Sequence, residues 1–158
     1  DKTSRLLPEI VEQLEAIKNP QKWLVITEGW CGDAAQIIPV LVKLAEVNPL
    51  VEIRFILREE QPAVMDAFLT NGARSIPKII VLDEQLEVQT TWGPRPVEVQ
   101  TEVMRLKAAL AEIEDEDERK LQNEESKKFV QKWYTKDKGR SIQREFVATI
   151  SAGIPAVV

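Results

Sequence analysis

The stretch from residue 23 to residue 57 constrains this chain more than any other. "WLVIT" (23–27) is a short, β-branched apolar run and reads as a buried strand. Helical spacing follows over 33–47, with Ile37, Ile38, Leu41, Leu44 and Ala45 on one face and Asn48-Pro49 as the stop. "VEIRFIL" (51–57) then alternates as a second strand. A strand, a helix and a strand in this order close as a right-handed crossover, which makes the two strands parallel neighbours in one sheet.

The remaining segments attach to that unit. Residues 4–18 read as a helix, with Leu7, Ile10, Val11, Leu14 and Ile17 on one face, Pro8 in the first turn and Asn19-Pro20 as the end. A short helix is expected over 61–70, where Val64, Met65, Phe68 and Leu69 are apolar, and Asn71-Gly72 punctuates the chain. "KIIVL" (78–82) is a third strand, "DEQ" a turn and 87–92 a fourth strand, most simply a hairpin that Gly93-Pro94 ends. Helical spacing returns over 97–113, and the acidic "EDEDERK" (114–120) follows without a break signal. Phe129, Val130, Trp133 and Tyr134 mark a further amphipathic helix. Gly139 separates it from a last one over 141–152, where Ile142, Phe146, Val147 and Ile150 face inward. The order α-β-α-β-α-β-β-α predicts an α/β fold: a four-stranded mixed sheet flanked by helices, with a helical C-terminal extension. A chain of 158 residues is most economically one such domain.

Composition narrows the chemistry. There is no histidine, which removes Ser-His-Asp and Cys-His mechanisms together with the commonest metal ligand. One cysteine allows neither an intrachain disulfide nor a Cys-rich zinc site. A carboxylate-only magnesium or calcium site stays open, but no EF-hand loop occurs, and neither does a glycine-rich nucleotide loop. No cofactor and no metal are therefore expected. Formal net charge is −5 and no apolar run is long enough to span a bilayer, so neither nucleic acid nor membrane is an expected partner. The basic stretch from Lys127 to Arg144 reads as the outer face of a helix or as a patch for an anionic partner. The sequence opens on Asp1 without a signal-peptide pattern, as expected of a trimmed chain or one whose leader has been removed. A lone cysteine fits a reducing cytoplasm.

Two strings carry a family resemblance. "WCGDA" (30–34), after a buried strand and at the opening of a helix, resembles the active-site loop of the thioredoxins, usually written WCGPC. "NGARSIPKIIVLDEQLE" (71–87) is similar to the thioredoxin segment in which an Ile-Pro pair with a cis bond opens the third core strand. Ile76-Pro77 lies 45 residues past Cys31, the separation expected in that family. Gly93 matches a glycine that many thioredoxins carry after the fourth strand. The resemblance covers about 23–93 with 4–18 as the preceding helix. It implies a thioredoxin fold over 1–112 and a helical extension, 113–158, packed on it. As a whole the chain looks like bacterial thioredoxin-like proteins that have a WCGD loop.

The resemblance implies a site made of Cys31 as nucleophile, a loop of Trp30, Gly32, Asp33 and Ala34, and Ile76 and Pro77 binding substrate by strand addition. Three departures shape it. Ala34 occupies the place of the resolving cysteine, so any disulfide formed by Cys31 needs an outside thiol. Asp33 replaces the loop proline, and is expected beside Cys31 as the cap of the helix that begins at Ala34. Val25 stands where many thioredoxins keep a buried acid. Asp33 and Glu28 are the nearest groups for proton transfer. The leading expectation is monothiol thiol-disulfide exchange, with a cysteine-containing protein or a low-molecular-weight thiol as partner. Cys31 as a packing residue in a redox-silent binding or chaperone-like module is the alternative, and an intermolecular disulfide switch is a third.

Overall fold

The structure is a computed structural model that describes residues 5–29 and 31–153. Trp30, and the Ser4 start expected for the first helix, lie outside the described residues.

The crossover unit forms as the sequence requires. Strand β1 (Gln21–Thr27) leads through α2 (Gly32–Glu46) to β2 (Val51–Leu57), and the two strands pair in parallel from Gln21 opposite Val51 to Thr27 opposite Leu57. β3 (Lys78–Leu82) runs antiparallel to β1, and β4 (Val88–Trp92) antiparallel to β3, giving the order β2-β1-β3-β4. The hairpin register slips once, between Val81 and Leu82. The remaining helices are α1 (Pro8–Glu15), α3 (Pro62–Ala67), α4 (Val97–Ala111), α5 (Glu116–Asp137) and α6 (Arg140–Gly153).

Alternation along β1 and β3 divides the interior in two. Trp23, Val25, Ile79 and Val81 point into a large core shared with Ile10 and Leu14 of α1, Ile37, Leu41 and Leu44 of α2, Val99 of α4 and Phe146 of α6. Ile26 and Ile80 point the other way, into a smaller cluster with Met65 of α3 and Ile76. Both faces of the central strands are therefore apolar, as buried strands require.

The C-terminal helices are integral to this packing. α6 packs on β4, α1 and α2, and Phe146, fully buried, meets Trp23 edge-on at a centroid distance of 4.8 Å. Gln143 is also fully buried, and its amide is satisfied from both ends: Leu7 N–H donates to Oε1 and Nε2 donates to Arg5 O, each at 2.8 Å. Glu145 accepts the Val97 N–H at the start of α4. The segment 114–120 departs from expectation. The chain turns after Glu112, and Asp115 caps a new helix by accepting the Glu118 N–H, so α5 is one helix of 22 residues. It ends at Lys138, in the left-handed region at φ 54°, followed by Gly139 at φ 73°.

Candidate functional site

The site is assembled where β1 gives way to α2. Cys31 is half-buried and is itself the N-cap of α2, with extended backbone at φ −75°, ψ 117°. Its Sγ accepts the Ala34 N–H at 3.4 Å and donates to the Ile76 carbonyl at 3.6 Å. The first contact follows from the local sequence, because a helix start leaves N–H groups without backbone partners and the capping atom here is sulfur. The second brings together two segments 45 residues apart. The Ile76–Pro77 peptide bond is cis, and so is Gly93–Pro94. Gly93 sits at φ +118° directly against Pro77, where a Cβ would run into the Pro77 carbonyl oxygen.

Asp33 does not cap the helix. α2 starts two residues before the expected Ala34, at Gly32, which moves Asp33 into the first turn. Its charge still suits the positive end of the helix dipole there. Its carboxylate, however, is turned to two long-range partners. Oδ1 accepts the Tyr134 hydroxyl at 2.8 Å, and Oδ2 pairs with Nη2 of Arg95 at 2.9 Å. Arg95 also donates from Nη1 to Gln100 at 2.8 Å, while its buried Nε has no partner among the described residues. Burial, with the Asp33 charge next to it, pushes the Tyr134 phenol well above its usual range. The hydroxyl therefore stays protonated and donates.

The extension thus reaches the loop directly. Gln131 of α5 accepts from Gln36 Nε2 at 2.8 Å, and its amide lies 3.7 Å from where a Cβ on Gly32 would stand. Glu28 is buried and its carboxylate accepts the Glu59 N–H at 2.8 Å, which commits it to the turn after β2. Ala34 is buried, and Val25 lies in the large core. Cys31 packs beside the smaller cluster of Ile26, Met65, Ile76 and Ile80. No group of three or more His, Cys, Asp and Glu is gathered for a metal ion among the described residues.

Cys31, Ala34, Ile76 and Pro77 are therefore drawn together, with Gly32 and Asp33 at the same helix start. Arg95, Tyr134 and Gln131 join them and were not singled out by the sequence. Tyr134 is 101 residues from Asp33, and its spacing with Phe129, Val130 and Trp133 read only as an apolar stripe. Arg95 stands between two prolines in "GPRP", where position alone marks a loop.

Known proteins resemble this chain in sequence and in fold. The sequence model of the thioredoxin family matches residues 1–113. A Streptomyces coelicolor protein provisionally named thioredoxin 2 is 36% identical over 75 residues, 48% of this chain and 54% of its own length. The chain thus spans about half the length of that curated relative. Among solved structures, a Pseudomonas aeruginosa protein of unknown function aligns with a TM-score of 0.65 at 18% identity, over 95% of this chain and 76% of its own. An HIV epitope scaffold aligns at 0.64 and 18%, over 98% and 79%. At that identity these two speak for the fold alone.

Proposed function

The chain belongs to the thioredoxin family, and on that premise we propose that it is a thiol-disulfide oxidoreductase working by a monothiol route through Cys31. The observation that carries the reading is the placement of Cys31 Sγ at the first turn of α2, accepting the Ala34 N–H where a resolving thiol would otherwise stand. N–H groups at a helix start stabilise an anion, and the thiolate is the attacking species.

For a glutathionylated protein the chemistry has two steps. The Cys31 thiolate attacks the glutathione sulfur, forming a Cys31–glutathione disulfide and releasing the protein thiolate, which takes up a proton. A second glutathione thiolate then attacks that disulfide, forming glutathione disulfide and regenerating the Cys31 thiolate. With alanine at position 34, the second thiol must come from outside. The Ile76 backbone, already beside Sγ, is the edge on which an extended substrate segment would add. Such a cycle belongs in a reducing compartment, the cytoplasm.

The test is deglutathionylation of a glutathionylated protein by reduced glutathione, coupled to glutathione reductase. Cys31→Ser should lose all turnover while keeping its far-UV and near-UV circular dichroism. Turnover retained by a folded Cys31→Ser protein would remove the proposal.

One contact favours a second reading, a redox-silent module that binds extended peptides in the same groove. The Sγ-to-Ile76 hydrogen bond needs the proton on sulfur, so in this geometry Cys31 serves as a polar packing residue. On that reading peptide affinity is the same in Cys31→Ala, and a loss of binding there would exclude it.

A further inference from the structure

β2 stands first in the order β2-β1-β3-β4, an edge strand with no strand on its outer side among the described residues. Gln21 N–H donates to Leu50 O and Arg58 N–H donates to Thr27 O, so the even-numbered residues of β2 turn their backbone groups toward β1. Ile53 and Phe55 consequently turn N–H and C=O outward, and no backbone partner reaches them among the described residues. A seven-residue edge is long enough to pair with another strand. Among the described residues no proline, bulge or overlying helix blunts it, and it exposes apolar side chains: Phe55 is 44% exposed and Leu57 38%.

We propose that β2 pairs antiparallel with β2 of a second copy of this chain, about a two-fold axis at Ile53, joining two four-stranded sheets into one of eight. Of the registers that keep outward-facing residues opposite one another, the three centred on the middle of β2, at Ile53, Arg54 and Phe55, pair most of the strand, and side-chain chemistry separates them. An axis at Arg54 sets Arg54 against its own copy, which is repulsive. An axis at Phe55 sets Arg54 against Ile56 and leaves the Arg54 charge without an opposite across the seam. An axis at Ile53 sets Glu52 against the partner's Arg54 and Arg54 against the partner's Glu52. Both pairs fall at non-hydrogen-bonded positions, where side chains approach most closely. Within one chain Glu52 already pairs with Arg54, so across this axis the four charges would form one alternating cluster.

A second, independent feature selects the same register. The side chains of Val51, Ile53 and Phe55 lie on the α2 face of the sheet, since Val51 belongs to the large core and Phe55 sits opposite buried Val25. With the axis at Ile53, the partner's Phe55 falls opposite Val51. That is where a hollow of about 340 Å³ opens, its apolar wall made by Val42, Ala45, Pro49, Val51 and Ile53 and its polar rim by Glu46 and Asn48. Phe55, the aromatic side chain of the edge, would lie against the apolar wall of that hollow in the other copy, twice by symmetry. An isologous contact of this kind closes on itself and makes a dimer, not a filament.

The experiment reads register directly, using the full chain in a Cys31→Ser background so that added cysteines are alone. Ile53→Cys, Arg54→Cys and Phe55→Cys are each treated with diamide as oxidant and analysed on a non-reducing gel. The proposal expects the disulfide dimer with Ile53→Cys, because hydrogen-bonded opposite residues bring their Cα atoms to about 5.5 Å, within disulfide range. Dimer forming fastest with Arg54→Cys or Phe55→Cys would overturn the register. Sedimentation of the unmodified chain under reducing conditions supplies the association itself. Glu52→Arg should weaken the dimer roughly tenfold or more by bringing guanidinium groups face to face across the seam, and adding Arg54→Glu should restore it. A chain that sediments as monomer at every concentration would overturn the proposal, as would a dimer indifferent to Glu52→Arg.

Discussion

Tyr134 is the only tyrosine of the chain, and its hydroxyl is committed to Asp33. A buried hydrogen bond to a charged group contributes about 1.5–3 kcal/mol, so Tyr134→Phe should lower unfolding free energy by about that amount, measured by urea melts at pH 7. The pH dependence has a definite sign. The folded phenol is held above the unfolded value of about 10. Its contribution is therefore complete below that value and is lost as pH rises beyond it, where the unfolded chain ionises first. Wild type should lose more stability than Tyr134→Phe between about pH 9 and 11, the window around the phenol's ordinary range. Absorbance at the phenolate band, with one tyrosine to report, should rise only on unfolding. Gly93 supports a sharper prediction. At φ +118° and with Pro77 O in the way, Gly93→Ala combines backbone strain with a clash against main chain. A loss of about 2–4 kcal/mol in the same melts is expected, and a loss below about 1 kcal/mol would mean the strand end relaxes freely. Cys31 and Pro77 were readable because each sits in a short local string. The role of Asp33 was not, because capping is local while its two partners arrive from residues 95 and 134.

The strands β2 and β3 and the start of α4 fall where periodicity puts them, at 51–57, 78–82 and Val97, since strong apolar alternation and flanking Asn, Pro and Gly leave little choice. The helices α1 and α3 are shorter than expected, at 8–15 and 62–67, because a turn of apolar residues in sequence does not require a turn of helix in space. The break before α5 did have a signal: Asp115 and Glu118 have the spacing of a capping box, inside a run that otherwise looks like uniform charge. α6 matters most for how the chain holds together. Phe146 lies against Trp23 at 4.8 Å and Trp92 at 6.1 Å between centroids, so its removal opens a cavity under the centre of the sheet. Phe146→Ala should cost about 3–5 kcal/mol. Deleting residues 114–158 should expose Trp23 and Trp92 and yield a chain without a cooperative thermal transition. A truncated chain that melts cooperatively near the wild-type temperature would show instead that α6 is dispensable to the core.

Across the molecule, what could be read in advance was what neighbours in sequence decide: element type, the parallel pairing of β1 and β2, and the thiol's position at a helix start. What could not were the meetings of distant segments: α6 under the sheet, α5 over the loop, Gln143 bonded to Arg5 and Leu7. These depend on where the tail is laid, and nothing periodic in the tail encodes that. The uneven anchoring of α5 sets how its backbone opens in time. The helix is 22 residues long, about 33 Å, yet Tyr134, near its end, is its one buried residue. From Glu116 to Lys128 it carries the pairs Lys120–Glu116, Lys127–Glu124 and Lys128–Glu125, all exposed and each worth a few tenths of a kcal/mol. Amide protons there should exchange with solvent by local fraying, orders of magnitude faster than those around Tyr134, which open only when the contact with the loop breaks. α5 is therefore a graded clock: deuterium should sweep along it from Glu116 and stall one turn short of Asp33's partner.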